Sequence, residues 1–299
     1  MKRRIKLQIL QSIISGIPQG ALYGLTAFGI VLIFRTVGVL NFAHGNSGML
    51  GTYIGLTFYL TTNNFILSLI IGVICGFFVG LAIERFLMRP LKQLSHGAML
   101  MVTLGLLMVI EGLVMLIWGT DYFTFPEIAS GTPFIFFFEN GIIVLPKNDI
   151  FITIIAISIM LFLAIFLKYT KLGIAIRARS QDEVGSLTTG VDINKVDAIV
   201  WGIGIATVSL VGLLAAPKTY IHPNMMINMQ LYGVTAGVLG GFSSLFGAII
   251  GGLLLGIIEK LVGVYISPDY QLSLILILII VVLIVKPSGL FGSEDKGRV

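Results

Sequence analysis

Apolar runs recur along the whole chain, and polar residues are confined to the intervals between them and to a few islands inside them. A helix needs about 20 consecutive apolar residues to cross a hydrocarbon layer about 30 Å thick. Six segments serve as crossings: 10–34, 65–83, 98–118, 149–167, 198–216 and 271–285, the last being short and borrowing residues on its outer side. Two further apolar regions, 36–62 and 231–263, are interrupted by glycine, in LNFAHGNSGMLGTYIG and YGVTAGVLGGFSSLFGAIIGGLLLG. Glycine costs a helix interior roughly 1 kcal/mol relative to alanine. Non-helical backbone survives at membrane depth only where protein or a water-filled cavity surrounds it. The pattern predicts an all-α polytopic membrane protein of about 8 transmembrane segments (range 8–10), two of them glycine-broken or re-entrant, in a single transmembrane domain over 1–299.

Composition agrees with that class. Hydrophobic residues make up 57% of the chain, charged residues 11%, and the mean hydropathy is +1.02. A soluble domain carries about 25% charged residues. The net charge of +5 does not indicate nucleic acid, because the cations are grouped at the ends of apolar runs. Lys2, Arg3, Arg4 and Lys6 form one group and Arg85, Arg89 and Lys92 a second. Lys168, Lys171, Arg177, Arg179 and Lys195 form a third, and Lys286, Lys296 and Arg298 a fourth. The positive-inside rule makes all four cytoplasmic. Both termini and the intervals 84–97 and 168–197 are then expected inside, and 119–148 and 217–230 outside. On that count, 36–62 and 231–263 each begin and end outside. MKRRIKLQIL starts as a signal peptide does, but its apolar stretch runs to Phe34, so it is read as a retained helix. Cys75 is the only cysteine, which excludes disulfides and cysteine metal clusters.

Several polar groups stand inside the apolar regions. Asn41, His44, Asn46 and Ser47 either line a substrate route or cap half-helices and satisfy backbone freed near Gly45 and Gly48, and the two roles are compatible. No second histidine or cysteine stands at ligand spacing from His44, so no metal is expected there. Glu111 lies deep in the 98–118 run and should face the bundle interior or water, as a proton-coupling group or a structural carboxyl. Glu259, beside Lys260, is either a pathway residue or the end of a crossing. Gly72, Gly76 and Gly80 share one helix face, and Gly247/Gly251 and Gly252/Gly256 repeat the spacing, which predicts close helix packing. Leu22–Thr26 (LYGLT) echoes Leu231–Thr235 (LYGVT), consistent with two related halves.

The interval 168–197 is the most informative polar segment. Ser180 and Glu183 fit a capping box, so a short helix is expected from about Gln181 to Thr189. Gly190 should end it in a left-handed conformation, and Asp192 should cap the next crossing. Such a helix offers a firm surface to a partner; the alternative is a solvated loop whose charges only set orientation. The chain has no phosphate-binding G-x-x-x-x-G-K-[ST] loop and no credible catalytic constellation, so it is not expected to be an enzyme. A transporter or channel remains. Its drive is either an ion gradient acting through Glu111 or His44, or a separate ATPase gripping residues 180–190.

LNFAHG at 40–45 with GMLGTY at 48–53, ERFLMRPL at 84–91, KYTKLGIAIRARSQD at 168–182 and TTGVDINKV at 188–196 form one set of motifs. TAGVLGGFSSLFGAIIGGLLLGIIE at 235–259 and KPSGLFG at 286–292 extend it over nearly the full length. Together they resemble the shorter of the two permeases of bacterial branched-chain amino-acid ABC transporters. The resemblance implies a multi-pass inner-membrane permease without cofactor. Its partners are a homologous second permease (in a heterodimer or a homodimer), two ATP-binding subunits, a substrate-binding protein and membrane lipid, with no nucleic acid. It makes 168–197 the coupling loop, with Arg177, Arg179, Ser180, Asp182, Glu183 and Gly190 around the ATPase contact, and places Asn41–Gly45 in the discontinuous core. Many relatives carry an acidic residue after the HG pair, where this chain has Asn46. Urea and short-amide permeases share most of these motifs, so the machine is defined more narrowly than its cargo.

Overall fold

The computed structural model describes residues 2–138 and 141–292. Eleven α-helices carry most of it: α1 (Lys2–Val37), α2 (His44–Thr62), α3 (Phe65–Ala82), α4 (His96–Trp118), α5 (Lys147–Tyr169), α6 (Lys171–Gln181), α7 (Glu183–Thr188), α8 (Ile193–Thr219), α9 (Ile227–Gly240), α10 (Leu245–Tyr265) and α11 (Gln271–Val285). Among the described residues, seven helices are long and apolar enough to cross a membrane: α1, α3, α4, α5, α8, α10 and α11. The interruptions expected in 36–62 and 231–263 are present, but between helices, over 38–43 and 241–244. Helix α2 runs unbroken through Gly45, Gly48, Gly51 and Gly55. Inside the interval 119–148, expected only as a loop, strands β1 (Phe134–Phe138) and β2 (Gly141–Leu145) pair as an antiparallel ribbon.

The chain divides into two compact units. One comprises Phe28–Pro126 and Leu161–Leu231. Its centre is the mutual packing of α2, α3 and α8. Gly72, Gly76 and Gly80 of α3 form the face that lets these backbones approach. A Cβ on Gly72 would lie 2.7 Å from Leu213 Cδ1 and 2.9 Å from the Gly51 carbonyl. On Gly76 it would strike Ser209 Oγ, and on Gly80 the Trp201 carbonyl. Without a hydrophobic drive between helices in lipid, such close approach is what dispersion forces require.

The other unit comprises Met1–Ala27, Glu127–Met160 and Tyr232–Val299. Here α1 and α10 run antiparallel through glycine. A Cβ at Gly16, Gly20 or Gly24 would meet the backbone of Gly256, Gly252 or Ile249 at 2.7, 2.9 and 3.1 Å. Gly247 and Gly251 play the same part against Gly240 and Ala236 of α9. The segment after α11 closes on the α9–α10 turn, where the Leu290 and Phe291 amides donate to the Leu239 and Gly240 carbonyls at 2.9 and 3.0 Å.

Helix α5 begins one residue after the ribbon and leads into α6 and α7. The beginning of α1 lies against the ribbon: the Gln11 side chain donates to the Val144 carbonyl and accepts from the Val144 amide, both at 2.9 Å. The start of α1 therefore lies beside the ribbon. Because α10 is antiparallel to α1 and α11 returns from its far end, residues 286–292 lie at the end opposite the ribbon. Helix α2, with 19 residues, is about 28 Å long. Lys296 and Arg298 lie outside the described residues.

Two outcomes follow from this packing. Gly76→Val should lower stability in detergent by about 1–3 kcal/mol through overpacking. Gly105→Ala, with nothing within 4 Å of its Cβ, should leave the melting temperature unchanged or raised.

Candidate functional site

Where α1 ends, Gly38 takes φ +78 and the chain turns back over six residues before α2 starts. Every polar side chain of this stretch is buried. The first residue of the α2 cap, Ala43, has no side chain able to accept, so its neighbours supply the function. Asn41 Oδ1 accepts from the Ala43 amide at 2.9 Å, and Gln230 Oε1 accepts from the Gly45 amide at 2.6 Å. The same Gln230 amide donates to the Phe42 carbonyl, while Thr103 Oγ1 accepts from the Phe42 amide at 3.3 Å. Ser47 Oγ donates back to the Ala43 carbonyl at 2.6 Å, and Asn46 Nδ2 reaches the Leu107 carbonyl at 3.4 Å. Thus Asn41, together with Gln230 and Thr103, satisfies backbone that a water-free medium would leave unpaired, while Asn46 and Ser47 add bonds to the Leu107 and Ala43 carbonyls.

His44 stands apart in that company. It is fully buried, and neither ring nitrogen meets a protein group in hydrogen-bonding geometry, as is true of Asn41 Nδ2. Gly29 makes room for the ring: a Cβ there would lie 2.6 Å from Thr207 Oγ1 and 2.9 Å from His44 Nε2. Among the described residues no three His, Cys, Asp or Glu side chains are placed to hold a metal ion.

The other acidic candidates lie elsewhere. Glu259 belongs to a buried cluster in which the Tyr23 hydroxyl donates to Glu259 Oε2 at 2.8 Å and Gln19 donates to Tyr23 at 3.0 Å. Tyr232 stacks on Tyr23 at 4.7 Å, so the two tyrosines of the LYG echo meet each other. Glu111 is half-exposed on α4 and has no hydrogen bond or ion pair among the described residues.

The 168–197 loop folds as two helices. Thr170 caps α6, its hydroxyl accepting from the Gly173 amide at 3.0 Å. Ser180 does not cap α7: it is inside α6, with its hydroxyl on the Arg177 carbonyl at 2.8 Å. The cap is Asp182, which accepts from the Gly185 amide at 3.0 Å, because it is Asp182 that takes the extended conformation a capping residue needs. Gly190 (φ +83) ends α7 as expected, its amide donating to Leu187 and the Val191 amide to Ser186 in a paired C-terminal motif. Asp192 caps α8 at 3.2 Å, and the Lys195 ammonium, 2.9 Å away, holds its carboxyl below the ordinary value. Val184 and Leu187 project from α7 with 70% and 57% exposure, an apolar tip on a charged base.

That base is an ion-pair chain that sequence reasoning missed. Glu183 meets Arg179 at 3.1 Å, and Arg179 Nε lies 3.3 Å from Asp197 Oδ1. Asp197 Oδ2 meets Lys92 at 2.8 Å, Lys92 lies 3.9 Å from Glu84, and Glu84 meets Arg89 at 2.6 Å. Arg179, Asp197 and Glu84 are buried. The chain joins α6 and α7 to the first turns of α8 and to the turn after α3. Its only sequence signal was the acid at 84 placed five residues before Arg89. A cleft of about 280 Å³ opens between the end of α1, at Arg35, Thr36 and Gly38, and the α6–α7 corner, at Ser180 and Asp182.

Residues 12–283 match the family described as branched-chain amino acid transport system / permease component. The chain is 30% identical over 307 residues to the high-affinity branched-chain amino acid transport system permease protein LivH of Escherichia coli, covering 98% of each. It is 28% identical over 302 residues to BraD of Pseudomonas aeruginosa, which bears the same description, covering 97% of this chain and 98% of that one. The solved structure of PsaBC from Streptococcus pneumoniae in complex with Fab aligns with a TM-score of 0.52 at 14% identity, over 93% of this chain and 92% of that one, a likeness of fold.

Removing one member of the buried chain leaves the others uncompensated. Asp197→Asn should destabilise the protein by about 3–5 kcal/mol, read as a lowered melting temperature, whereas Lys195→Ala, at an exposed pair, should cost about 1 kcal/mol or less.

Proposed function

Because the chain belongs to the branched-chain amino acid transport system permease family, we propose that it is the membrane-spanning subunit of an ATP-binding-cassette importer in the bacterial inner membrane. Its cargo is a branched-chain or other aliphatic amino acid, moved inward. It pairs with a homologous permease and works with two ATP-binding subunits and a substrate-binding protein, and it catalyses nothing itself. The observation that carries this reading is the α7 tip on its ion-paired base, in a chain that matches the family almost end to end.

In this reading the 168–197 loop is cytoplasmic and α7 seats in an ATP-binding subunit through Val184 and Leu187. The ion-pair chain then passes the displacement to α8 and to the end of α3. The cleft beside Arg35 and Gly38 lies six residues ahead of His44, so movement of the α6–α7 corner acts directly on the α1–α2 break. Asn41, His44, Asn46 and Ser47 flank the route, with Gln230 holding the break closed in the state described. Residues 119–148 and 217–230 are where the binding protein docks in this reading. Glu111 plays no part in energy coupling.

Uptake in cells or proteoliposomes should survive collapse of the proton gradient and fail without ATP; the reverse would assign an ion-coupled carrier. Leu187→Asp, on an exposed position, should abolish co-purification of the ATP-binding subunits while leaving the melting temperature of the permease intact. Retained assembly would remove α7 from the coupling surface.

A further inference from the structure

The β1–β2 ribbon is apolar on both faces. Cross-strand register puts Phe134, Phe136 and Phe138 on one face with Leu145 and Ile143, and Ile135 and Phe137 on the other with Val144 and Ile142. Five consecutive residues of β1 are exposed, Phe137 by 81%. A two-stranded ribbon is marginal by itself in water, and an exposed apolar patch marks a protein or membrane contact. Apolar side chains exposed on both faces need cover on both, which a surrounding apolar medium supplies.

The ribbon's attachment locates that medium. Only Pro146 separates β2 from α5, the most apolar of the seven crossings, so the base of the ribbon is at the bilayer boundary. Lys147 there sets its ammonium 5.6 Å from the Phe134 ring, a cation at headgroup level above an aromatic. Gln11 pins β2 to the first turns of α1, and Ile143 is buried, so the ribbon is fastened along that helix rather than free to project. Among the described residues nothing pairs with the outer edge of β1. Unpaired backbone is expelled from hydrocarbon but tolerated among headgroups, which is also where aromatic rings concentrate.

We propose that strands β1 and β2 form a membrane-interface anchor that lies at the boundary between lipid headgroups and acyl chains, with the exposed apolar side chains of both its faces, Phe137 among them, in contact with lipid. It thereby takes this segment out of any docking surface for the binding protein. The proposal rests on the multi-pass reading of the chain, not on its cargo or energy source.

The test uses the complete transporter in phospholipid vesicles, with Cys75→Ala and a nitroxide attached at Phe137→Cys or, as an aqueous control, Ser130→Cys. The ratio of collision with dissolved oxygen to collision with a water-soluble nickel chelate should be several-fold higher at 137 than at 130. A ratio equal to that of the control would overturn the proposal in favour of a ribbon in water. Low access to both probes at 137, or access lost on adding binding protein, would overturn it in favour of a protein contact. ATP-driven uptake by the same vesicles reports separately on whether the transporter reading stands.

Discussion

In a medium that supplies no hydrogen bonds, each interruption of a helix must be satisfied by the protein itself. The break between α1 and α2 meets that demand with one side chain of its own and with side chains from two other places in the chain. Asn41 serves the Ala43 amide, Gln230 bridges the Phe42 carbonyl and the Gly45 amide, and Thr103 takes the Phe42 amide. The island of polar residues is therefore explained first as a cap assembled in three dimensions. A junction held by a few side-chain hydrogen bonds is also easier to rearrange than a continuous helix.

The remaining architecture supports that junction. Glycine faces bring α2, α3 and α8 into backbone contact, so that α2 is located by α3 and α8. The ion-pair chain from Glu183 to Arg89 fixes the start of α8 and the end of α3 to the α6–α7 corner. Buried charges of this kind add little net stability, because desolvation offsets attraction. They fix relative position, since any slip of one element leaves another's charge unpaired.

Much of this was legible in the sequence. Apolar runs located the long helices, glycine spacing located the packing faces, and Gly190 and Asp192 marked the ends of the loop helices. What escaped depended on long-range contact. Gln230 is an ordinary residue of a polar stretch until α9 carries it to the α2 cap, and Asp197 reads as a boundary acid until Arg179 and Lys92 converge on it. Ser180 and Asp182 both fit a cap by composition, and only backbone conformation chose between them.

Helix α7 is stopped at both ends, by the Asp182 side chain at its start and by the Gly190 motif at its end. A segment so bounded can neither gain nor lose a turn. It therefore behaves as a strut of fixed length, about 9 Å for its six residues. A push on its tip is converted into tilt or translation, with nothing absorbed by uncoiling.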